Sequence, residues 1–145
     1  MHAFGAHFVE VRVDADTGEV RVPRASSVYA AGTIVNATTA RSQFLGGFCM
    51  GVSMALHEES VLDERFGHHA NHDLAEYHVA TNADIGEIDV SWLEEEDPWV
   101  NELGVKGIGE IGITGAAAAV ANGYWHATGR RVRDLPITPD KYFRP

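Results

Sequence analysis

His7-Phe8-Val9-Glu10-Val11-Arg12-Val13-Asp14 alternates at period two. Val9, Val11 and Val13 share one face, and Phe8, Glu10, Arg12 and Asp14 the other, the pattern of a half-buried strand. Asp16-Thr17-Gly18-Glu19 then predicts a turn, with glycine where positive φ is tolerated. Glu19 to Val22 returns as a second strand and is expected to stop near Pro23, because proline lacks a ladder donor. Val28 to Ala31 suits a third strand, turned by Gly32. Beyond it the period changes. Phe44, Phe48, Val52 and Ala55 recur at spacings of three and four, which predicts a helix from about Thr39 to Leu62. Residues 63–73 read as a polar loop, Tyr77–Thr81 and Ile85–Leu93 as strands, and Glu94–Pro98 as an exposed acidic turn. Thr114 is expected to cap a second helix, Gly115 to about Thr128, closed by Gly129. Two long helices with about five strands, not strictly alternating, predict an α+β fold with a mixed sheet, as one domain over residues 1–145.

Composition narrows the function. The chain has 145 residues, of which 45% are hydrophobic, enough for a real core and too many for a disordered tail. A net charge of −10 argues against nucleic-acid partners. No apolar run is long enough for a membrane span, and no signal-peptide pattern follows Met1. Cys49 is the single cysteine, so no disulfide forms within the chain, and a reducing cytoplasm is the expected compartment. Periplasmic export as a folded complex, on a partner's signal, is the alternative. The fifteen glycines are not scattered. Gly46, Gly47 and Gly51 fall inside the first helix, where each costs roughly 0.5–1 kcal/mol relative to alanine. Gly104, Gly107, Gly109 and Gly112 punctuate a second stretch.

That second stretch, Gly104-Val105-Lys106-Gly107-Ile108-Gly109-Glu110, is the strongest site candidate. Its glycines let backbone approach a ligand, and its single carboxylate, just before a helix, is placed to act as a general base. On spacing alone, a glycine-rich turn with an exposed glutamate at a helix start carries more weight. Gln43, Gly47 and Gly51, four apart, are expected to share a face that could hold a flat or phosphate-bearing ligand; helix packing through small residues is the plainer account. His68, His69 and His72 suggest a metal, but no second cysteine supports zinc, and a solvated loop is the simpler reading. Arg130, Arg131 and Arg133 read as a solvated helix end or as a dock for an acidic partner.

Taken together, the motifs resemble the C-terminal part of the molybdopterin-binding large subunit of the xanthine dehydrogenase/aldehyde oxidase (molybdenum hydroxylase) family. They are most similar to the bacterial periplasmic aldehyde oxidoreductase type. The resemblance rests on Phe4–Val11, Ala40–Gly47 continuing to Glu59, Asn71–His78, Lys106–Glu110 and Arg131–Thr138, in that order. It implies that this chain is one wall of the molybdenum-binding region, a fragment or split subunit of something larger. It implies that Glu110 is the base activating the molybdenum-bound hydroxyl, in the oxidation of an aldehyde or N-heterocycle with water as oxygen source. It implies cofactor contact by Gln43, Gly46, Gly47, Lys106, Gly107 and Gly109, and no protein side chain ligating the metal. The implied cofactor is molybdopterin, as its cytosine dinucleotide, with molybdenum; FAD and iron–sulfur clusters would sit on partner subunits or domains. Two other roles stand beside it: a non-catalytic cofactor-binding or assembly module needing a partner chain, and a small metal domain on the histidine loop. The chain departs from the family pattern at Ala30-Ala31-Gly32, where Asp-x-Gly is usual, at Asn36-Ala37, where Asn-Pro is usual, and at Ala80 and Gly86, where proline is usual.

Overall fold

The computed structural model describes residues 2–144. Its centre is a three-stranded sheet of β1 (Phe4–Val13), β2 (Val20–Ala30) and β5 (Ile85–Trp92), with β2 in the middle. β1 and β2 are antiparallel, while β2 and β5 are parallel, so the sheet is mixed as expected. Two helices, α1 (Ala37–Leu56) and α3 (Ala116–Thr128), are the long ones, and a one-turn helix α2 (Ile111–Thr114) leads into α3. A two-stranded ribbon, β3 (Leu62–Asp63) with β4 (His68–His69), and a terminal turn, α4 (Asp140–Phe143), complete the described elements.

The hairpin forms where the alternation puts it. Val9, Val11 and Val13 pack on the core, whereas Phe8 is exposed. Asp14 builds the turn: one carboxylate oxygen accepts the N–H groups of Asp16 and Thr17 at 3.0 and 2.8 Å, and Gly18 takes φ +72°. β2 does not stop at Pro23 and absorbs the expected third strand into one continuous element. Two features admit the proline into a central strand. The β1–β2 register shifts between Glu10 and Arg12, so the missing donor falls at a bulge. On the other side Gly86 lies so close that a Cβ there would sit 2.2 Å from the Pro23 carbonyl oxygen.

Helix α1 begins where Asn36 accepts the Thr39 N–H on its side-chain oxygen at 3.0 Å. It ends at Leu56 rather than Leu62, because the apolar stripe ends there and Val61 and Leu62 are exposed. Tyr77–Thr81 is not a strand, since among the described residues no strand lies beside it. Side chains hold it instead: the Tyr77 hydroxyl donates to Glu58 at 2.8 Å and the Ala80 N–H donates to Ser53 Oγ at 2.9 Å. Thr114 does not cap α3. Its hydroxyl donates back to the Ile111 carbonyl at 3.0 Å, because residues 111–114 are already helical, and the break falls at Gly115. Gly129 closes α3 in the left-handed region, as expected.

The core has two halves. One gathers Val22, Ala25, Phe48, Val52, Val120, Tyr124 and Ile137 between the sheet and the long helices. The other gathers Tyr29, Ala40, Phe44 and Val90, with Tyr29 and Phe44 stacked at 4.2 Å, and it carries Ile108 and Ile111 on its edge. That edge positions the candidate site.

Candidate functional site

Residues 104–112 are built by alternation of a different kind. Ile108 and Ile111 turn inward against the Tyr29–Phe44 cluster. Gly107, Gly109 and Glu110 face out and are exposed. Burying the two isoleucines therefore presents the carboxylate. Glu110 sits at the N-terminal edge of α2, and its carbonyl accepts the Ile113 N–H at 3.2 Å. No side-chain cap hydrogen bond ties its carboxylate back to the helix.

The same contact fixes α1 beside it. A Cβ at Gly47 would lie 2.9 Å from the Gly112 Cα, and one at Gly51 would lie 2.4 Å from the Ala116 Cβ. The two segments thus run in the same direction across the contact. Gln43 lies one residue before Phe44, where the contact begins on α1, and Glu110 two residues before Gly112. The expected common face of Gln43, Gly47 and Gly51 is split by this geometry. Gly47 and Gly51 face α2 and α3, which accounts for both glycines by packing, while Gln43 and Gly46 are exposed.

Gly46, Gly107 and Gly109 have no chain atom within 4 Å of an added Cβ, and none has positive φ. Neither packing within the described residues nor backbone conformation calls for glycine at these three places. They leave bare backbone exposed next to Glu110 in the loop and on the turn of α1 that carries Gln43, and this fits a large ligand approaching from outside.

Lys106 is tied into the fold by charge. Its ammonium is buried, with the side chain 5% exposed, and meets Glu95 Oε1 at 2.6 Å and Asp97 Oδ2 at 3.1 Å. The second Glu95 oxygen accepts the Gly32 N–H at 2.9 Å. Gly32 and Gly104 both take positive φ, +68° and +65°, and the Thr33 N–H donates to the Gly104 carbonyl at 2.9 Å. The hydrogen bond to Glu95 raises the Lys106 pKa and lowers that of Glu95. The acidic turn expected at Glu94–Pro98 is thus in part an ion cluster, with Glu95 and Asp97 turned inward. Sequence reasoning missed both. The signal was there: a lysine set among glycines and apolar residues needs a counter-charge, and the nearest acidic run is Glu94–Asp97.

The histidine loop gathers little. His72 Nδ1 lies 3.0 Å from the His69 carbonyl and 3.2 Å from that of Ala70. Among the described residues, no group of three or more His, Cys, Asp or Glu side chains converges as a metal site. The basic cluster pins the C-terminal segment: Arg131 lies over Trp125 at 4.6 Å and donates to Asn122 at 2.7 Å, and Arg130 bonds the Arg144 carbonyl. Cys49 is half-buried, and burial raises its thiol pKa. Among the described residues no helix is long and apolar enough to cross a membrane.

Known proteins carry the same architecture. The molybdenum-binding subunit PaoC of an Escherichia coli K12 aldehyde oxidoreductase is 51% identical over 138 residues, covering 95% of this chain and 19% of its own. The putative xanthine dehydrogenase molybdenum-binding subunit XdhA of the same organism is 34% identical over 141 residues, 97% of this chain and 19% of its own. The crystal structure of the aldehyde oxidoreductase from Desulfovibrio desulfuricans superposes with a TM-score of 0.86 at 30% identity, over 97% of this chain and 15% of that one. The chain spans about a fifth of the length of the curated relatives it matches. Residues 1–86, which contain β1, β2, α1 and with it Gln43 and Gly46, match the family model for a molybdopterin cofactor-binding domain. With more than half of the chain so matched, and the exposed glycines lying where a ligand can reach backbone, this chain belongs to the molybdopterin cofactor-binding domain family.

Proposed function

We propose that this chain forms one wall of the active site of a molybdenum hydroxylase that oxidises an aldehyde or an N-heterocycle, with water as the source of oxygen. When bound, molybdenum in its pterin cofactor supplies the two-electron chemistry. The chain's own residues then have separate tasks. Glu110 accepts a proton on its carboxylate from the oxygen nucleophile. Gln43 offers a side-chain amide to the cofactor, and Gly46, Gly107 and Gly109 let it lie against bare backbone. Gly47 adds to this surface only through its backbone. Lys106 holds the loop from behind.

The observation that carries this reading is the outward presentation of Glu110 between two anchored isoleucines, next to glycines that the fold itself does not require. The family relationship supports molybdopterin, and we take its nucleotide form to be the cytosine dinucleotide. The chain works as part of a longer molybdenum-binding protein or as a split subunit of one. Exposed Phe4, Phe8, Trp99 and Leu103 support burial against further protein. Iron–sulfur and FAD groups on partner domains or subunits would receive the electrons.

The test is Glu110→Gln in the molybdenum-loaded protein. A positioned base contributes typically about 10²–10⁴-fold, so turnover falls by at least about 10²-fold while molybdenum content is retained. Near-normal turnover in that variant removes Glu110 from the chemistry.

A further inference from the structure

We propose that Glu95 and Asp97, acting through Lys106, are positioning residues for the Glu110 carboxylate. This rests on the reading of Glu110 as the base. The loop that carries Glu110 has two kinds of anchor. On its far side, Ile108 and Ile111 are held by the apolar edge of the Tyr29–Phe44 cluster. Gly107 stands between Ile108 and the turn at Gly104, and Gly109 between the two isoleucines; both lack side chains to pack and have the widest conformational freedom of any residue. Apolar contact alone sets depth but not register, because dispersion and burial are non-directional. A directional anchor is needed on the near side, and Lys106 is the side chain placed to give it.

Three chain segments are linked through its ion cluster. Glu95 and Asp97 come from the segment following β5, at 2.6 and 3.1 Å. Through its other oxygen, Glu95 holds the Gly32 N–H at the end of β2. Gly32 in turn bridges to Val105, beside Lys106 itself. Asn101 closes the circuit, its amide donating to the Val105 carbonyl at 2.8 Å. The carboxylates therefore tie the glutamate loop to the end of β2. Losing the ammonium would leave two carboxylates side by side with their shared partner gone, so the tether would open rather than relax in place.

The experiment uses the molybdenum-loaded protein that carries this chain. Lys106→Met lowers kcat by about 10²-fold, the scale expected for a displacement near 1 Å, while KM stays within about twofold and molybdenum content is retained. Glu95→Gln, which keeps an oxygen for Gly32 but loses the charge, gives a smaller loss, and Lys106→Arg restores part of the Lys106→Met deficit. Amide hydrogen exchange at Gly32 and Thr33, whose N–H groups are held by Glu95 and by the Gly104 carbonyl, quickens by about tenfold in Lys106→Met. An unchanged kcat, or a loss of turnover that follows loss of molybdenum, overturns the proposal. If Lys106→Met does not accumulate, Glu95→Gln decides on the same readouts. Should Glu110→Gln keep its turnover, the base reading is what fails, and the exchange rates still judge the tether.

Discussion

Gly112 and Gly109 lie three residues apart, yet an added methyl group would meet opposite surroundings at the two. At Gly112 it would sit 2.9 Å from the Phe44 carbonyl oxygen and 3.2 Å from the Gly47 Cα, both backbone of α1. At Gly109 it would meet nothing within 4 Å. The packed region, with Gly47, Gly51 and Gly112, uses glycine to bring two helical backbones together. The open lip, with Gly46, Gly107 and Gly109, has no such use for it within the fold. Two glycine-rich stretches that look alike in sequence thus divide into a joint and a surface.

The sharpest break in this comparison is a matched pair of alanine substitutions. Gly112→Ala overpacks a backbone–backbone contact that no rotamer change can relieve, and lowers stability by about 1–3 kcal/mol in urea unfolding. Gly109→Ala leaves stability within about 0.5 kcal/mol, or raises it slightly by stiffening the unfolded chain. Its effect falls on cofactor retention, with molybdenum content after gel filtration reduced several-fold. If both variants lose equal stability, or if Gly109→Ala retains the full metal content, the division into joint and surface fails.

Much of the fold was legible because its signals are local. The alternation in His7–Asp14 needs only neighbouring residues to be read, and so do the helical stripe of α1 and the glycine that ends α3. Pro23 was misread because what admits it is distant: a register shift against β1 and a glycine 63 positions on, Gly86. Tyr77–Thr81 has strand-forming residues but no neighbouring strand, and strand formation requires one. In the site, Glu110 and Gln43 stood out by motif. The glycines could not be sorted into packed and open without the α1–α2 contact. Glu95 and Asp97 stayed hidden because an acidic run reads as solvated unless something cationic is known to be folded against it.

A smaller effect separates the two regions by pH. His7 belongs to the packed side: its ring stacks on Phe48 at 5.4 Å, lies edge-on to Tyr29 at 5.5 Å, and would be 2.5 Å from a Cβ at Gly115. Burial lowers its pKa below the ordinary value of 6.5. Below that value the unfolded chain takes up a proton that the folded ring resists, so stability declines as pH falls through the ordinary histidine range. Glu95 anchors the loop that carries part of the lip, and the Lys106 hydrogen bond holds its pKa below the ordinary 4.5. The stability it contributes is complete above that value and is lost only as pH falls through its lower, folded one. Mild acid therefore loosens the packed side first, and the tether behind Glu110 gives way only in the carboxylate range. His7→Phe should flatten the fall in urea midpoint between about pH 7 and 5 while keeping the fall below about pH 4. Glu95→Gln should do the reverse, softening the lower fall and leaving the upper one intact. A His7→Phe variant with an unchanged upper slope would place the acid sensitivity in another group and unlink it from the packed side.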